Sequence, residues 1–122
     1  MHSQCVDVLA ATRWPSMAVV GNAVEVNPLV EALMSTLGAG SSADTAMAVR
    51  VLESPTSDPL VIVDHSEKFR VAVLRAALSK ARAPLPPRNV AIVVKDPGRY
   101  ADLQAQATAL ALHLWLIPAS HS

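Results

Sequence analysis

The chain has 122 residues, of which 52% are hydrophobic and only 16% are charged. This length suits one domain that buries about two-thirds of its unfolded surface, and the composition excludes an intrinsically disordered chain. The formal net charge is zero, which argues against a general binder of nucleic acids or membrane surfaces. The lone Cys5 cannot form an internal disulfide, and no apolar run or signal-peptide pattern indicates a membrane or secreted protein. We therefore expect a cytoplasmic location.

The N-terminal segment predicts a short helix followed by a strand. Apolar side chains recur at roughly helical spacing within residues 4–12, and Pro15 ends that pattern. We treat residues 1–15 as an N-terminal extension or short helix, and residues 16–122 as the main domain. Met17–Val20 is a short apolar run that predicts the first strand.

The residues after this strand allow two interpretations. Gly21-Asn22 is compatible with a two-residue hairpin turn, and also with a loop that leads from a strand into a helix. The following sequence favours the loop, because Asn27 is a suitable N-cap and Gly38 is a suitable C-terminal stop. Between them, an apolar stripe predicts a helix that continues to Leu37.

One poor strand and one ambiguous element come next. Gly38–Ser42 is small and polar, and it leaves room for only a weak strand. Asp44 is a suitable N-cap for a helix that ends at Glu53. The residues from Met47 to Val51 also alternate as in a strand, so periodicity alone leaves this element open.

The centre of the chain predicts a buried strand with a carboxylate at its end. Leu60–Val63 is a continuous apolar run, which is typical of a strand covered on both faces in a parallel sheet. Asp64 follows directly, at the position where parallel sheets place their ligands and their chemistry. Ser66 is a suitable N-cap for a helix from Glu67 to about Arg82.

Two further strands and one helix complete the predicted fold. Val90–Val94 is a second doubly buried strand, and Leu114–Ile117 is the last strand. Between them, Asp96 opens a helix that reaches about Leu112. Right-handed crossovers make strands that alternate with helices in this way parallel. We therefore predict an α/β fold with three layers, α/β/α, around a mostly parallel sheet of five strands.

The order and spacing of these elements over about residues 16–118 resemble a receiver domain of two-component signalling, whose fold is flavodoxin-like. The segments similar to its first, third, fourth and fifth strands are Met17–Val20, Leu60–Asp64, Val90–Val94 and Leu114–Pro118. The resemblance implies that Asp44–Glu53 is the second helix. It also implies that Asp64 stands at the position of the phospho-accepting aspartate.

The other chemical positions of a receiver are replaced. Gly21 and Asn22 stand where a receiver has two acidic residues that hold Mg²⁺, a metal that needs carboxylate oxygens. Lys95 stands where the resemblance implies a hydroxyl, and Ile117 where it implies a lysine. The resemblance therefore implies a degenerate receiver, without a cofactor and without enzymatic activity, in which Asp64 is vestigial.

Asp64 and Lys95 each have two interpretations. Asp64 is either a phospho-acceptor or, more commonly in such a place, a helix-capping or salt-bridged structural residue. Lys95 either pairs with Asp64 across neighbouring strand ends or is an ordinary solvated lysine. No metal site is expected beside His65, because no cysteine or histidine stands at ligand spacing from it.

The C-terminus departs from the receiver pattern. Only four residues follow Pro118, so the fifth helix implied by the resemblance is absent and one face of the sheet would be partly bare. Exposed apolar surface costs about 25 cal/mol per Å². We expect residues 4–12 to pack beside the Asn27–Leu37 helix and cover this face, or a second copy of the chain to cover it.

The basic residues suggest an alternative role. Six of the ten Lys and Arg residues lie between Lys68 and Arg88. Such a run usually forms a solvated helix face, but it could also hold a phosphorylated second messenger such as a cyclic dinucleotide. The candidate anion-binding residues are Arg75, Arg82, Arg88 and Arg99. A nuclease that uses Asp64 with Glu67 and Lys68 is disfavoured, because Glu67 and Lys68 fall on a helix.

The predicted function is that of a non-catalytic pseudo-receiver. It would act by protein–protein contact in a sensor kinase or transcriptional regulator, independently of phosphorylation. The expected partners are another protein, other domains of a longer signalling chain, or a second copy in a homodimer. The alternatives are a cyclic dinucleotide-binding module and a conventional receiver phosphorylated at Asp64. Neither a membrane nor nucleic acid is an expected partner.

Overall fold

The computed structural model describes residues 3–21, 43–56, 58–64 and 66–119. Within these ranges the chain forms four α-helices, one 3-10 helix and four strands. The helices are α1 (Ser3–Thr12), α2 (Ala43–Glu53), α3 (Glu67–Lys80) and α4 (Ala101–Ala109), and the 3-10 helix is Pro97–Tyr100. The strands are β1 (Ala18–Val20), β2 (Leu60–Ile62), β3 (Arg88–Val94) and β4 (Leu112–Pro118).

The four strands form one parallel sheet in the order β1-β2-β3-β4. Val19 pairs with Val61, Val61 with Ala91, and Ala91 with Trp115. The predicted α/β fold with a parallel sheet is thereby confirmed, although the described residues contain four strands rather than five. The short strand predicted in residues 38–42 lies outside the described residues.

The ambiguous segment after residue 42 is a helix. Its buried residues Thr45, Ala48 and Leu52 recur every three or four positions, so they form one stripe along α2. This stripe packs against α3, β1 and β2. Burial of a helical stripe therefore decides between two periodicities that the sequence leaves open.

The helix after β3 is shorter than predicted. It ends at Ala109 rather than near Leu112, because Ala111 adopts a left-handed conformation with φ of 63°. The chain reverses there and enters β4 at Leu112.

Alternation along the strands divides the core into two clusters. On one face, the helices α2, α3 and α4 cover Leu60, Ile62, Val90, Ile92, Val94, Leu112 and Leu114. On the other face, Cys5 and Val8 of α1 pack with Val61, Val63, Ala91, Val93 and Ile117. The central strands β2 and β3 are therefore buried on both sides, which explains their uninterrupted apolar runs.

The N-terminal helix supplies the cover on the second face. The helix predicted within residues 4–12 is present as α1, and it contacts β3 and β4. Val8 is completely buried and Cys5 is buried, whereas Val6 is half exposed. The predicted neighbour of α1, the Asn27–Leu37 helix, lies outside the described residues.

Candidate functional site

The carboxyl edge of the sheet brings Gly21 and Asp64 together. The Val63 N–H donates to the Val20 carbonyl over 2.8 Å, so the end of β2 lies beside the end of β1. Asp64 is completely buried. Its Oδ2 would lie 3.1 Å from a Cβ atom built on Gly21. The two positions of the expected receiver site are therefore neighbours, and Asn22, the third, lies outside the described residues.

Only glycine fits at position 21. Its φ of +130° is one that side-chain-bearing residues rarely adopt, and a Cβ there would lie 1.5 Å from the Val63 carbonyl oxygen. The same overlap excludes an acidic side chain. The missing metal-binding carboxylate at position 21 thus follows from the close approach of two strand ends.

Arg70 of α3 ties together the ends of the two central strands. Its Nη1 donates to the Asp64 carbonyl over 2.8 Å, while Nε and Nη2 donate to the Val93 carbonyl over 3.1 and 2.9 Å. Gln4 of α1 also donates to the Asp64 carbonyl, over 2.9 Å. Burial lowers the pKa of Arg70, and the nearby charges of Glu67 and Asp64 oppose that shift.

Arg70 is a residue that the sequence analysis missed. In the sequence, Arg70 belongs to a run of basic residues that predicts a solvated helix face. It lies three and four positions before Val73 and Leu74, however, and therefore on the apolar stripe of α3. An arginine on a buried stripe is the signal that could have identified it.

Glu67 at the start of α3 links the helix to the segment after β3. Ser66 caps α3 by accepting from the Phe69 N–H over 3.1 Å. Glu67 Oε1 accepts from the Lys95 main-chain N–H over 2.6 Å, and Oε2 accepts from the Tyr100 hydroxyl over 2.5 Å. The hydrogen bond to Glu67, followed by burial, raises the pKa of Tyr100.

Lys95 lies at the end of β3, the strand next to β2, but its side chain is exposed while Asp64 is buried. In the part of the chain that the structure describes, Arg75 and Asp102 form an ion pair, with 2.7 Å between Arg75 Nη2 and Asp102 Oδ2. Charge pairing between Lys95 and Asp64 stays a prediction.

The four candidate anion-binding arginines do not lie together. Arg75 pairs with Asp102 between α3 and α4. Arg82 follows α3, and its main-chain N–H donates to Glu53. Arg88 begins β3 and Arg99 lies beyond its end, so they are separated by about 20 Å of strand.

Arg88 has a structural role at the amino edge of the sheet. It is only 4% exposed, and its guanidinium donates to the carbonyls of Asp58 (3.0 Å), Ser54 (2.9 Å) and Thr56. These bonds hold the loop that leads into β2. Burial lowers the pKa of Arg88, and the charge of Asp58 opposes the shift.

A groove of about 690 Å³ runs between α4 and β4, the strand at one edge of the described sheet. All of its lining residues are uncharged: Pro97, Gly98, Ala101, Gln104, Ala105, Thr108, Ala109 and Leu116. Most of the α4 residues in this set are exposed. The surface is therefore a shallow, largely apolar strip beside a strand edge.

The edge of β4 presents backbone groups to this groove. The Ala119 N–H donates to the Val94 carbonyl, so odd-numbered residues of β4 point their backbone groups toward β3. Because this direction alternates along a strand, the backbone groups of Leu112, Leu114 and Leu116 point away from β3. Gln104 donates to the Leu114 carbonyl over 3.2 Å, which satisfies one of these groups.

Residues 3–21, 43–56, 58–64 and 66–119 contain neither a metal-binding cluster nor a membrane-spanning helix. No cluster of three or more His, Cys, Asp or Glu residues in these ranges could hold a metal ion. None of the helices described there has the length and apolar character needed to cross a membrane.

No protein-family model matches this chain, and neither a curated protein nor a solved structure matches it. The receiver resemblance therefore rests on the order of the elements and on the residues discussed above.

Proposed function

We propose that this chain is a non-catalytic, receiver-like signalling module that acts by protein–protein contact through the groove between α4 and β4. The observation that carries the proposal is the uncharged groove beside an edge strand. Contact with a protein partner would cover this surface, either in a sensor kinase or transcriptional regulator or between copies of the chain.

The absence of catalysis in this proposal is supported by the surroundings of Asp64. A phosphoryl donor must approach a carboxylate oxygen in line, with a metal ion neutralising the developing charge. Asp64 has no exposed surface, and Gly21 lies against its carboxylate. Arg70 occupies the adjoining strand ends. A conventional receiver phosphorylated at Asp64 therefore has less support.

Contact through the groove is supported by the chemistry of the β4 edge. Natural proteins usually shield an edge strand with charged residues, and β4 contains no Asp, Glu, Lys or Arg. An extended partner segment could hydrogen-bond to the outward groups of Leu116, which lines the groove, while its side chains contact α4. Pro118, which lacks an N–H, would end such pairing.

The cyclic dinucleotide alternative has less support from the same geometry. Its four candidate arginines lie on α3, just after α3, at the start of β3 and in the 3-10 helix after β3. Arg88 is also occupied with main-chain carbonyls. A ligand with two phosphates would need several of them on one surface.

Site-specific photocrosslinking tests the proposed surface. A photoreactive benzoylphenylalanine would be placed at Ala105 in the groove, with Ala46, an exposed alanine on α2, as the matched control. In cells that produce the protein naturally, we expect position 105 to crosslink to one defined protein or to a second copy. Equal crosslinking at both positions, or none at position 105, would contradict the proposal.

Binding by purified components completes the test. The crosslinked protein would be titrated with the chain, with the Ala105→Glu variant and with the Ala46→Glu control. The Ala105→Glu variant should bind the partner at least about tenfold more weakly, because it buries an unpaired carboxylate in the interface. The Ala46→Glu control should bind as the wild-type protein does. An unchanged affinity in that variant would remove the groove from the interface.

A further inference from the structure

A second cavity lies at the opposite end of the sheet, between the amino ends of β3 and β4. Its volume is about 330 Å³, and it is lined by Pro87, Arg88, Asn89, Ala111 and His113. Pockets for small molecules start at roughly 300 Å³. None of these residues belongs to the groove between α4 and β4 or to the carboxyl edge. The cavity therefore stands independently of the proposed function.

One wall of this cavity is the aromatic ring of His113, which packs against a second aromatic ring. The imidazole of His113 stacks on Trp115, with ring centroids 5.1 Å apart and planes inclined by 18°. Trp14 also contacts Trp115, in an edge-to-face arrangement with ring centroids 5.5 Å apart. His113 is exposed, so the imidazole can accept a planar ligand on the face that Trp115 does not cover.

A polar donor stands beside that ring. Asn89 pairs directly with His113 in the sheet, so the two side chains lie on the same face. Trp115 Nε1 donates to Asn89 Oδ1 over 3.0 Å. Because the amide oxygen is engaged in this way, the Asn89 amide nitrogen presents its two N–H groups as donors.

The charge near the cavity is positive. Arg88 is 4% exposed, and its described acceptors are main-chain carbonyls. The negative charge of Asp58 lies near enough to act on it, but no described carboxylate lies within 4.0 Å of its guanidinium. Its Nε–H has no acceptor among the described residues. The side chain runs toward the loop before β2, so it acts on the cavity through its field. A buried positive charge of this kind attracts an anion.

We propose that this cavity binds a small planar anion, namely an aromatic or heteroaromatic carboxylate. Its ring stacks on His113, its carboxylate accepts from the Asn89 amide, and the charge of Arg88 favours the anionic form. The volume admits a single ring with its carboxylate rather than a dinucleotide.

Titration with nicotinate tests this site directly. Binding would be followed by tryptophan fluorescence and by heteronuclear NMR on the full chain. We expect saturable binding with Kd of about 0.1 to 1 mM, with shifts centred on Asn89, Ala111 and His113. Nicotinamide has the same ring without the charge, and it should bind about tenfold more weakly.

Variants of the exposed ring separate stacking from nonspecific association. His113→Ala should weaken nicotinate binding by about fivefold to tenfold, whereas His113→Phe, which keeps an aromatic face, should retain it. Thr108→Ala in the groove beside α4 is the matched control and should have no effect.

Three results would overturn the proposal. They are shifts that fail to saturate, shifts that centre on α4, and equal affinity of the wild-type protein and His113→Ala.

Discussion

At Gly21 the main chain passes so close to the end of β2 that no side chain fits between them. The glycine is therefore required by packing and by a φ of +130°. The parallel order of the four described strands is compatible with a flavodoxin-like fold.

Gly21→Ala should be strongly destabilising. Backbone strain and overlap with the Val63 carbonyl together should lower the free energy of unfolding by about 2 to 4 kcal/mol. Gly98→Ala is the matched control, because a Cβ at Gly98 would make only an ordinary contact, at 3.4 Å from Asp96 Oδ1. Urea unfolding of both variants measures the difference. Equal stabilities would show that the two strand ends are not in close contact.

The hydrogen bond between Tyr100 and Glu67 should be visible as a pH effect. Tyr100 is the only tyrosine, so near-ultraviolet absorbance follows its ionisation alone. Its pKa is raised above the ordinary value of 10.0, first by the hydrogen bond to Glu67 and then by burial, while the charges of Arg99 and Arg70 oppose the shift. In Glu67→Gln we expect Tyr100 to ionise at lower pH than in the wild-type protein.

This contact should also make stability depend on pH in alkaline solution. Because the folded pKa of Tyr100 lies above its unfolded value, the stabilisation is complete below about pH 10 and is lost as the pH rises through the folded pKa. Glu53→Gln, at a distant acid, serves as the control and should leave the titration unchanged. Identical titrations of Glu67→Gln and the wild-type protein would rule out the contact.

At the scale of the elements, α1 covers part of one face of the parallel sheet. It covers β3 and β4 with Cys5 and Val8, while its opposite side carries the half-exposed Val6. An N-terminal helix thus packs on the strands β3 and β4, which lie much later in the chain.

Two valines of α1 provide a matched test of this role. Val8→Ala should lower the free energy of unfolding by about 1.5 to 3 kcal/mol, because it leaves a cavity against the sheet. Val6→Ala should change it by less than about 0.5 kcal/mol, since Val6 is 49% exposed. Thermal unfolding compares the two. Similar small effects would mean that α1 is not packed on the sheet.

For the whole molecule, the main prediction concerns phosphorylation. Incubation with acetyl phosphate and Mg²⁺ should leave the intact mass unchanged, because Asp64 is buried and position 21 has no carboxylate to hold the metal. The Asp64→Asn variant is the control, because a phosphoryl adduct on any other residue would also appear in this variant. A phosphoryl adduct on the wild-type protein that Asp64→Asn abolishes would restore the catalytic interpretation.

The elements that the sequence predicts correctly are those whose own residues favour one type of structure. The apolar runs of β2 and β3 read as doubly buried strands, and Ser66 reads as the cap of α3, as the structure has them. The α/β class follows from their alternation. The end of α4 was misplaced because Ala111, which is not a glycine, takes the left-handed conformation that stops the helix.

The candidate site was predicted less completely, for a physical reason. The sequence placed Gly21, Asp64 and Lys95 at neighbouring strand ends, because parallel strands end at one edge. It did not predict that Arg70 bonds to the carbonyls of Asp64 and Val93, or that Arg88 is buried beneath the loop before β2.

The sequence by itself therefore determined most of the described elements, their order and the class of fold, since these depend on residues close together in the chain. The tertiary structure alone decided that Arg70 and Arg88 are internal, that Gly21 admits no side chain and that Ala43–Glu53 is a helix rather than a strand. Each of these outcomes depends on a contact between distant segments. A guanidinium or a glycine acquires its role only when such a contact supplies carbonyl acceptors or removes the space for a side chain.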